Sequence, residues 1–193
     1  MAEVKKNCWE DEVVEDIGLC PQEDVDAGIA EEIYYAPAEH IKSIPTPAAA
    51  TDHASYVTIA EPIVMETGKG FAKMKLQVDL NGLKAALVGN KGNKKVQTTL
   101  EAFIAGFKAQ LVGFQEKYKN ARLVFAIPDG NGNTWLIGDK LKPARFENFD
   151  LDTGKTNEDN NGATLNIVAN KGPRLYTAEL PMANAAVGPP VGG

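Results

Sequence analysis

The amino-acid sequence predicts an α+β domain that is mainly β: a β-sandwich or barrel-like body with one flanking α-helix and an extended acidic N-terminal arm. Three observations lead there. Short apolar or alternating runs recur from Tyr56 to Leu180, punctuated by Gly, Asn and Pro. One stretch, 98–119, has helical rather than alternating spacing. And the charge is divided: residues 1–40 carry twelve carboxylates against Lys5 and Lys6, a net charge of −10, whereas 41–193 sum to +4.

The expected division is an acidic arm and Pro/Ala linker over 1–54, a body over 55–182 and a flexible Ala/Val/Gly/Pro tail over 183–193. Within the arm, Ile33–Ala36 is a short strand-like run ended by Pro37. Pro45, Pro47 and Ala48–Ala50 mark the linker. Tyr56–Ile59 and Ile63–Met65 are short strands. Met74 to Leu80 alternates strictly, which predicts a half-buried strand with its lysines on the open face. Asn81-Gly82 is a two-residue hairpin signal, and Asn90–Asn93 is a turn after the run Ala85–Val88.

Thr98 and Glu101 have capping-box spacing. Leu100, Phe103, Ile104, Phe107, Leu111, Phe114 and Tyr118 then recur at helical intervals, predicting a helix over 98–119. Its opposite side would carry Ala102, Ala105, Gly106, Ala109 and Gly113. A glycine inside a helix costs about 1 kcal/mol against alanine, so a smooth face of this kind suggests close approach by a neighbour. Beyond it, Leu123–Ile127 is wholly apolar, as a buried strand requires. The turn Pro128–Asn133 leads to an antiparallel return at Thr134–Gly138. Ala144–Leu151, Ala163–Val168 and Leu175–Leu180 complete the strands, with a polar loop over 153–162.

Apolar residues make up 44% and charged residues 24%, ordinary values for a globular chain. No apolar run approaches the roughly 18 residues of a membrane span. The opening residues lead into acids rather than an apolar stretch, so no secretory signal is expected. Cys8 and Cys20 fit neither a redox pair nor, with only His40 and His53 available, a zinc set; reduced thiols are expected. Two serines leave little material for serine catalysis.

Candidate motifs fail on their neighbours. Asp129–Asn133 resembles the start of a calcium loop, but Thr134 and Lys140 stand where an EF-hand needs glycine and an acid. Gly154-Lys155-Thr156 lacks the leading glycine of a phosphate loop, since Phe149 occupies that position. Asp152-Thr153-Gly154 matches an aspartic-protease triplet but is followed by Lys155, Glu158 and Asp159, which suits a solvated loop better than a buried dyad. Trp9 and Trp135 read as packing anchors. Seven lysines between Lys69 and Lys95, with Asp79 the one acid among them, admit three readings: a nucleic-acid patch, a solvated face, or a seat for the acidic arm of another copy. Only Phe71 lies nearby to stack on a base.

The order of features from about 55 to 180 resembles the tail tube, or major tail protein, family of tailed bacteriophages. The resemblance is carried by Gly68-Lys69-Gly70-Phe71, Val88-Gly89-Asn90-Lys91-Gly92, Leu111-Val112-Gly113-Phe114 running toward Leu123–Asp129, Trp135–Gly138, Pro143-Ala144, the polar loop to Gly162, and Leu165-Asn166-Ile167. It implies a virion subunit, assembled in the host bacterial cytoplasm, of which six copies form a ring with a continuous inner β-barrel. Stacked rings make a conduit for DNA ejection. The partners implied are other copies of the chain and other tail or neck proteins, with DNA passing without specific binding and no membrane.

The intersubunit contacts expected from the charge division are Glu10, Asp11, Glu12, Glu15 and Asp16 against Lys73, Lys75, Lys91, Lys94 and Lys95. Gly106, Ala109 and Gly113 are expected to meet a neighbour from the helix. No catalytic residue, cofactor or metal is expected, and the chain reads as a non-enzyme. The alternatives are a head decoration or connector protein, and a soluble ligand-binding β-sandwich.

Overall fold

A computed structural model of the chain describes residues 26–47, 52–156 and 158–183, together with Glu15 and Ile17. The first strands in chain order are β1 (Glu32–Pro37), β2 (Ile41–Ser43), β3 (Thr58–Ile59), β4 (Val64–Met65) and β5 (Ala72–Lys75). Next come β6 (Gly82–Val88) and β7 (Lys95–Ala105), then the helix α1 (Ala109–Tyr118). The chain continues through β8 (Leu123–Pro128), β9 (Thr134–Ile137), β10 (Arg145–Asp152), β11 (Gly162–Ala169) and β12 (Arg174–Tyr176). One sheet has the order β3-β12-β9-β8-β1-β5 and a second the order β10-β11-β7-β6; β2 and β4 form a small pair. The fold is α+β, mainly β, and neither sheet closes into a barrel.

β8 shows how the sequence builds this. Side chains alternate across a strand. Leu123, Phe125 and Ile127 enter the core between the two sheets, with Leu100 and Ala102 of β7 and Ala163, Leu165, Ile167 and Ala169 of β11. Val124 and Ala126 enter a second core on the reverse face, with Ala36, Ile41, Ile59, Ile63, Phe71 and Tyr176. Residues 123–127 are therefore fully buried, as their unbroken apolar run predicts. The Tyr176 hydroxyl ties down the second core's cover, accepting from the Ile63 N–H at 3.1 Å and donating to the Glu179 carbonyl at 3.0 Å.

β1 lies between β8 and β5, pairing antiparallel with both: Tyr34 faces Ala126 on one side and Lys73 on the other. The sheet thus takes in residues that a division at 54/55 assigns to an arm. Ala30 already donates its N–H to the Pro128 carbonyl at 2.9 Å, and Ile29 bridges Asp129 and packs on the main core. Among the described residues the packed body runs from Asp26. The tail beyond Ala183 and most of the arm, with Cys8, Trp9 and Cys20, lie outside the described residues.

The helix expected over 98–119 is corrected to α1 at its C-terminal half alone. Residues 98–105 are strand, because their neighbours reward period two more than period 3.6. Thr98, Leu100 and Ala102 alternate into the main core, held between β6 and β11. The supposed cap Thr98 is fully buried and donates its hydroxyl to the Lys171 carbonyl at 2.7 Å. The strand stops at Gly106, whose φ of 92° suits glycine alone, and the Asn161 carbonyl and side chain accept the N–H groups of Gly106 and Phe107. α1 then lays Leu111, Phe114 and Tyr118 over the main core. Phe114 is the hub of an aromatic cluster, stacking on Tyr118 at 4.5 Å and meeting Tyr35 edge-on at 5.4 Å.

Asn81-Gly82 does not make the expected hairpin, since β5 and β6 belong to different sheets. Asn81 instead marks the crossing: its Oδ1 accepts the Phe103 N–H at 2.9 Å and its amide donates to the Gln77 carbonyl. The turns after Val88 and Pro128 do join antiparallel neighbours as expected. Removing the ring common to the main core and the aromatic cluster should be costly. Phe125→Ala is expected to lose about 3–5 kcal/mol in urea unfolding followed by tryptophan fluorescence.

Candidate assembly surfaces

Of the five arm carboxylates, Glu15 alone is among the described residues. Glu10, Asp11, Glu12 and Asp16 lie outside the described residues. Glu15 accepts the His53 backbone N–H with both carboxylate oxygens at 3.1 Å, a contact with main chain and not with lysine.

The lysines do not form one patch. Lys73 and Lys75 project from the exposed face of β5, and Lys73 is paired with Glu32 at 2.7 Å. That carboxylate and its hydrogen bond hold the Lys73 ammonium above its ordinary value. Lys91, Lys94 and Lys95 stand exposed at the β6–β7 turn. The Gln77 N–H donates to the Phe103 carbonyl at 2.9 Å, which places the end of β5 beside the far end of β7. Lys95, eight residues back along that strand, is therefore roughly 26 Å away. The sequence brings these lysines together; the topology puts them at opposite ends of the sandwich.

Gly106 is a strand-to-helix turn and not part of a helical face. Ala109 and Gly113 are exposed on α1, and a Cβ built on Gly113 meets nothing within 4 Å. They leave an open surface beside Val112 and Glu116.

The second sheet offers more. Its inner face is sealed in the main core. Its outer face is set by register: Lys84, Thr99, Val168 and Arg145 form one row, and Glu101, Asn166 and Asn148 the next. Asp150 and Thr164 continue that face beside Phe103, which lies against Gly162. This surface is polar with both signs of charge. In its middle the Asn166 Oδ1 is buried without a hydrogen-bond partner among the described residues. Among those residues, β6 and β10 pair on one side only, so both edges of this sheet are open.

Two of the concavities among the described residues bear on these surfaces. One, of about 590 Å³, lies between β5, the end of β7 and α1, with Met74, Leu76, Ile104, Leu111 and Phe114 in its lining. The other, of about 410 Å³, gathers Lys42, Lys140, Lys171 and Arg174. Three of its cations are engaged: Lys140 on the Lys42 carbonyl, Lys171 on Asp139 and Arg174 on the Tyr56 carbonyl. Burial works to raise the Asp139 carboxyl, but Lys171 and the Lys142 N–H outweigh it and hold it below the ordinary value. This basic cluster was illegible in the sequence because its members come from four separate loops and strands.

Asp129 is a structural node. Its Oδ1 accepts the N–H groups of Asn131 and Asn133, and its Oδ2 accepts the Trp135 indole at 2.7 Å. Asn131 in turn exchanges hydrogen bonds with the backbone of Asp26, fastening the start of the body to the β8–β9 turn. The loop is satisfied from within. No group of three His, Cys, Asp or Glu side chains among the described residues could hold a metal ion, and no helix of those residues is long and apolar enough to cross a membrane.

Comparison with known proteins finds no matching family model, no similar curated protein and no similar solved structure.

Burial tends to raise the Asp129 carboxyl, yet the Trp135 and Asn133 donors prevail and hold it below its ordinary 3.8. A depressed carboxyl contributes stability above the unfolded value and loses it as pH falls through the folded one. The stability advantage of wild type over Asp129→Asn should therefore be full at neutral pH and shrink below about pH 4, read from paired denaturant titrations across pH. Asp129→Ala should cost about 1–3 kcal/mol at pH 7 by the same measurement, because it orphans the Trp135 indole and two backbone donors.

Proposed function

We propose that this chain is a structural, non-enzymatic virion subunit of a tailed bacteriophage, of the tail tube class, that works by self-assembly into stacked rings. The observation that carries the reading is the four-stranded sheet: one face sealed, the other polar, and both edges, β6 and β10, unpaired among the described residues. An open edge presents a row of unsatisfied N–H and C=O groups, and pairing with identical copies around a closed ring satisfies them all. Six four-stranded sheets joined in this way would line a central channel. A polar wall of mixed charge, in a chain of net charge −6, suits a conduit that must let DNA pass without gripping phosphate.

The arm adds a second contact. Its Glu15 lies against His53, next to the loop whose Tyr56 carbonyl holds Arg174.

Light scattering over a concentration series and negative-stain electron microscopy test the reading. Rings or tubes are expected; a stable monomer at all concentrations overturns it. The described strands and both cores are built from residues after 25, so a deletion of residues 1–25 should leave a folded chain that assembles poorly. Raising salt should weaken assembly of the intact chain.

A further inference from the structure

We infer, on the ring reading above, that neighbouring copies join β6 to β10 in one register, with Lys84 of one copy opposite Asp150 of the next. The two edges carry complementary side chains. Lys84 stands exposed on the polar outer face of β6, with no ion-pair partner among the described residues. Asp150 and Asp152 stand exposed on the same face of β10, and Asp150 accepts a hydrogen bond from the Asn148 amide.

Backbone direction is compatible with this pairing. The Gly106 N–H donates to the Asn161 carbonyl at 2.7 Å, in line with the register Ala105↔Gly162. Backbone groups alternate along a strand, so even-numbered residues of β7 turn toward β11 and odd-numbered ones toward β6. Thr99 therefore engages Lys84, and Thr164 engages Asp150. The outward backbone groups are those of Leu83 and Ala85 on β6 and of Phe149 and Leu151 on β10. With Lys84 opposite Asp150 in an antiparallel pair, Leu83 meets Leu151 and Ala85 meets Phe149 as hydrogen-bonded pairs. Leu83, Leu151 and Phe149 already belong to the main core, which the junction extends. Lys84 and Asp150 fall at the non-hydrogen-bonded position, where facing side chains are closest.

The rows across the sheet define the stagger between copies. Lys84 shares a row with Arg145 and Gly82 shares one with Asn148, so the bulge at Glu147 makes Asn148 a single two-residue step beyond Arg145. A ring without stagger sets Lys84 directly against Arg145, and like charges in that position are destabilising. A stagger of two residues per copy meets Asn148, four meets Asp150 and six meets Asp152. Odd staggers turn the polar row toward the core. Stagger also fixes strand tilt. Four residues over four strands is the ratio of an eight-stranded barrel of shear eight, which tilts about 36°. Two residues give about 20° and six about 48°, outside the roughly 35–45° of closed barrels. Charge and tilt select the same register.

The direction of the stagger agrees as well. Seen from the core with β7 running upward, the chirality of L-residues turns the backbone groups of core-facing residues to the right. Leu100 and Ala102 are such residues and turn toward β11, so β6 is the left edge and β10 the right, running upward like β7. Strands of closed barrels wind right-handed about the axis. With the polar face inside, β6 of the next copy is therefore displaced upward along β10, from Arg145 toward Asp150.

Disulfide linkage between copies is the test, in full-length chain carrying Cys8→Ser and Cys20→Ser. Within one chain, positions 84 and 150 are separated by three strand spacings, roughly 14 Å or more, too far for a disulfide. Lys84→Cys/Asp150→Cys is expected to give linked copies on a non-reducing gel after mild oxidation. Lys84→Cys/Asn148→Cys and Lys84→Cys/Asp152→Cys should link about tenfold more slowly or less; faster linkage through either overturns the register. Charge reversal is the second measurement. Lys84→Glu alone and Asp150→Lys alone should each raise the concentration needed for rings by about fivefold or more. A one-to-one mixture of the two should restore it, since alternating copies again set a cation against an anion at every junction. A mixture as weak as the single variants overturns the inference. Rings that form without the 84–150 link overturn this register and leave the assembly reading standing, whereas a chain that forms no rings at any concentration overturns both.

Discussion

The structure depends on the burial of β8 on both faces. Five consecutive residues, Leu123–Ile127, lie wholly out of water, so the strand must be covered twice. The four-stranded sheet covers one face, and the β2–β4 loops with the Tyr176–Leu180 segment cover the other. Apolar area removed from water is the main favourable term in folding, at about 25 cal/mol per Å². A strand that contributes to two cores couples them, so neither can loosen without exposing part of the other.

Two of the passages between the sheets are each held by a side-chain amide. Asn81 fastens the passage from β5 to β6, and Asn161 fastens the turn from β7 into α1. Asparagine suits such places because its amide both donates and accepts, mimicking the strand ladder that is interrupted there. Asp129 does the same for the β8–β9 turn while also holding Trp135. The Asp129 loop carries the start of a calcium-loop pattern in the sequence, yet its hydrogen-bonding capacity is spent on the fold.

The open edges acquire meaning against that closed interior. A chain whose cores are complete still leaves β6, β10 and the outer side of β5 unpaired among the described residues. These edges, with β3 a further one at the other end of the large sheet, differ. β5 already bears the first residues of a parallel strand beside an apolar groove, whereas β6 and β10 bound a flat polar sheet.

Much of this was legible in the residues. The unbroken apolar run at Leu123–Ile127, the turns at Asn90–Asn93 and Pro128–Asn133, and the alternation of Ala163–Val168 each appear in the structure as read, because those signals are local and no distant contact opposes them. Over 98–105 the bulky residues Leu100, Phe103, Ile104 and Phe107 fall at helical spacing, while the period-two set that the strand buries, Thr98, Leu100 and Ala102, includes two small residues that signal it weakly. Strand partners on both sides, β6 and β11, decide between the two periods, and no local window contains them. Asn81-Gly82 failed as a hairpin for a related reason, since a turn signal does not say which strands lie on either side of it. The lysines of Lys69–Lys95 are neighbours in sequence and lie at opposite ends of β7 in space, while Lys42, Lys140, Lys171 and Arg174 are scattered in sequence and gathered in space. The sequence by itself determined the fold class, most strands and the division of charge, because hydrophobic period and turn chemistry act over a few residues. Only the tertiary structure decided where the helix starts, which charges meet and which edges stay open, because those follow from pairing between strands far apart along the chain.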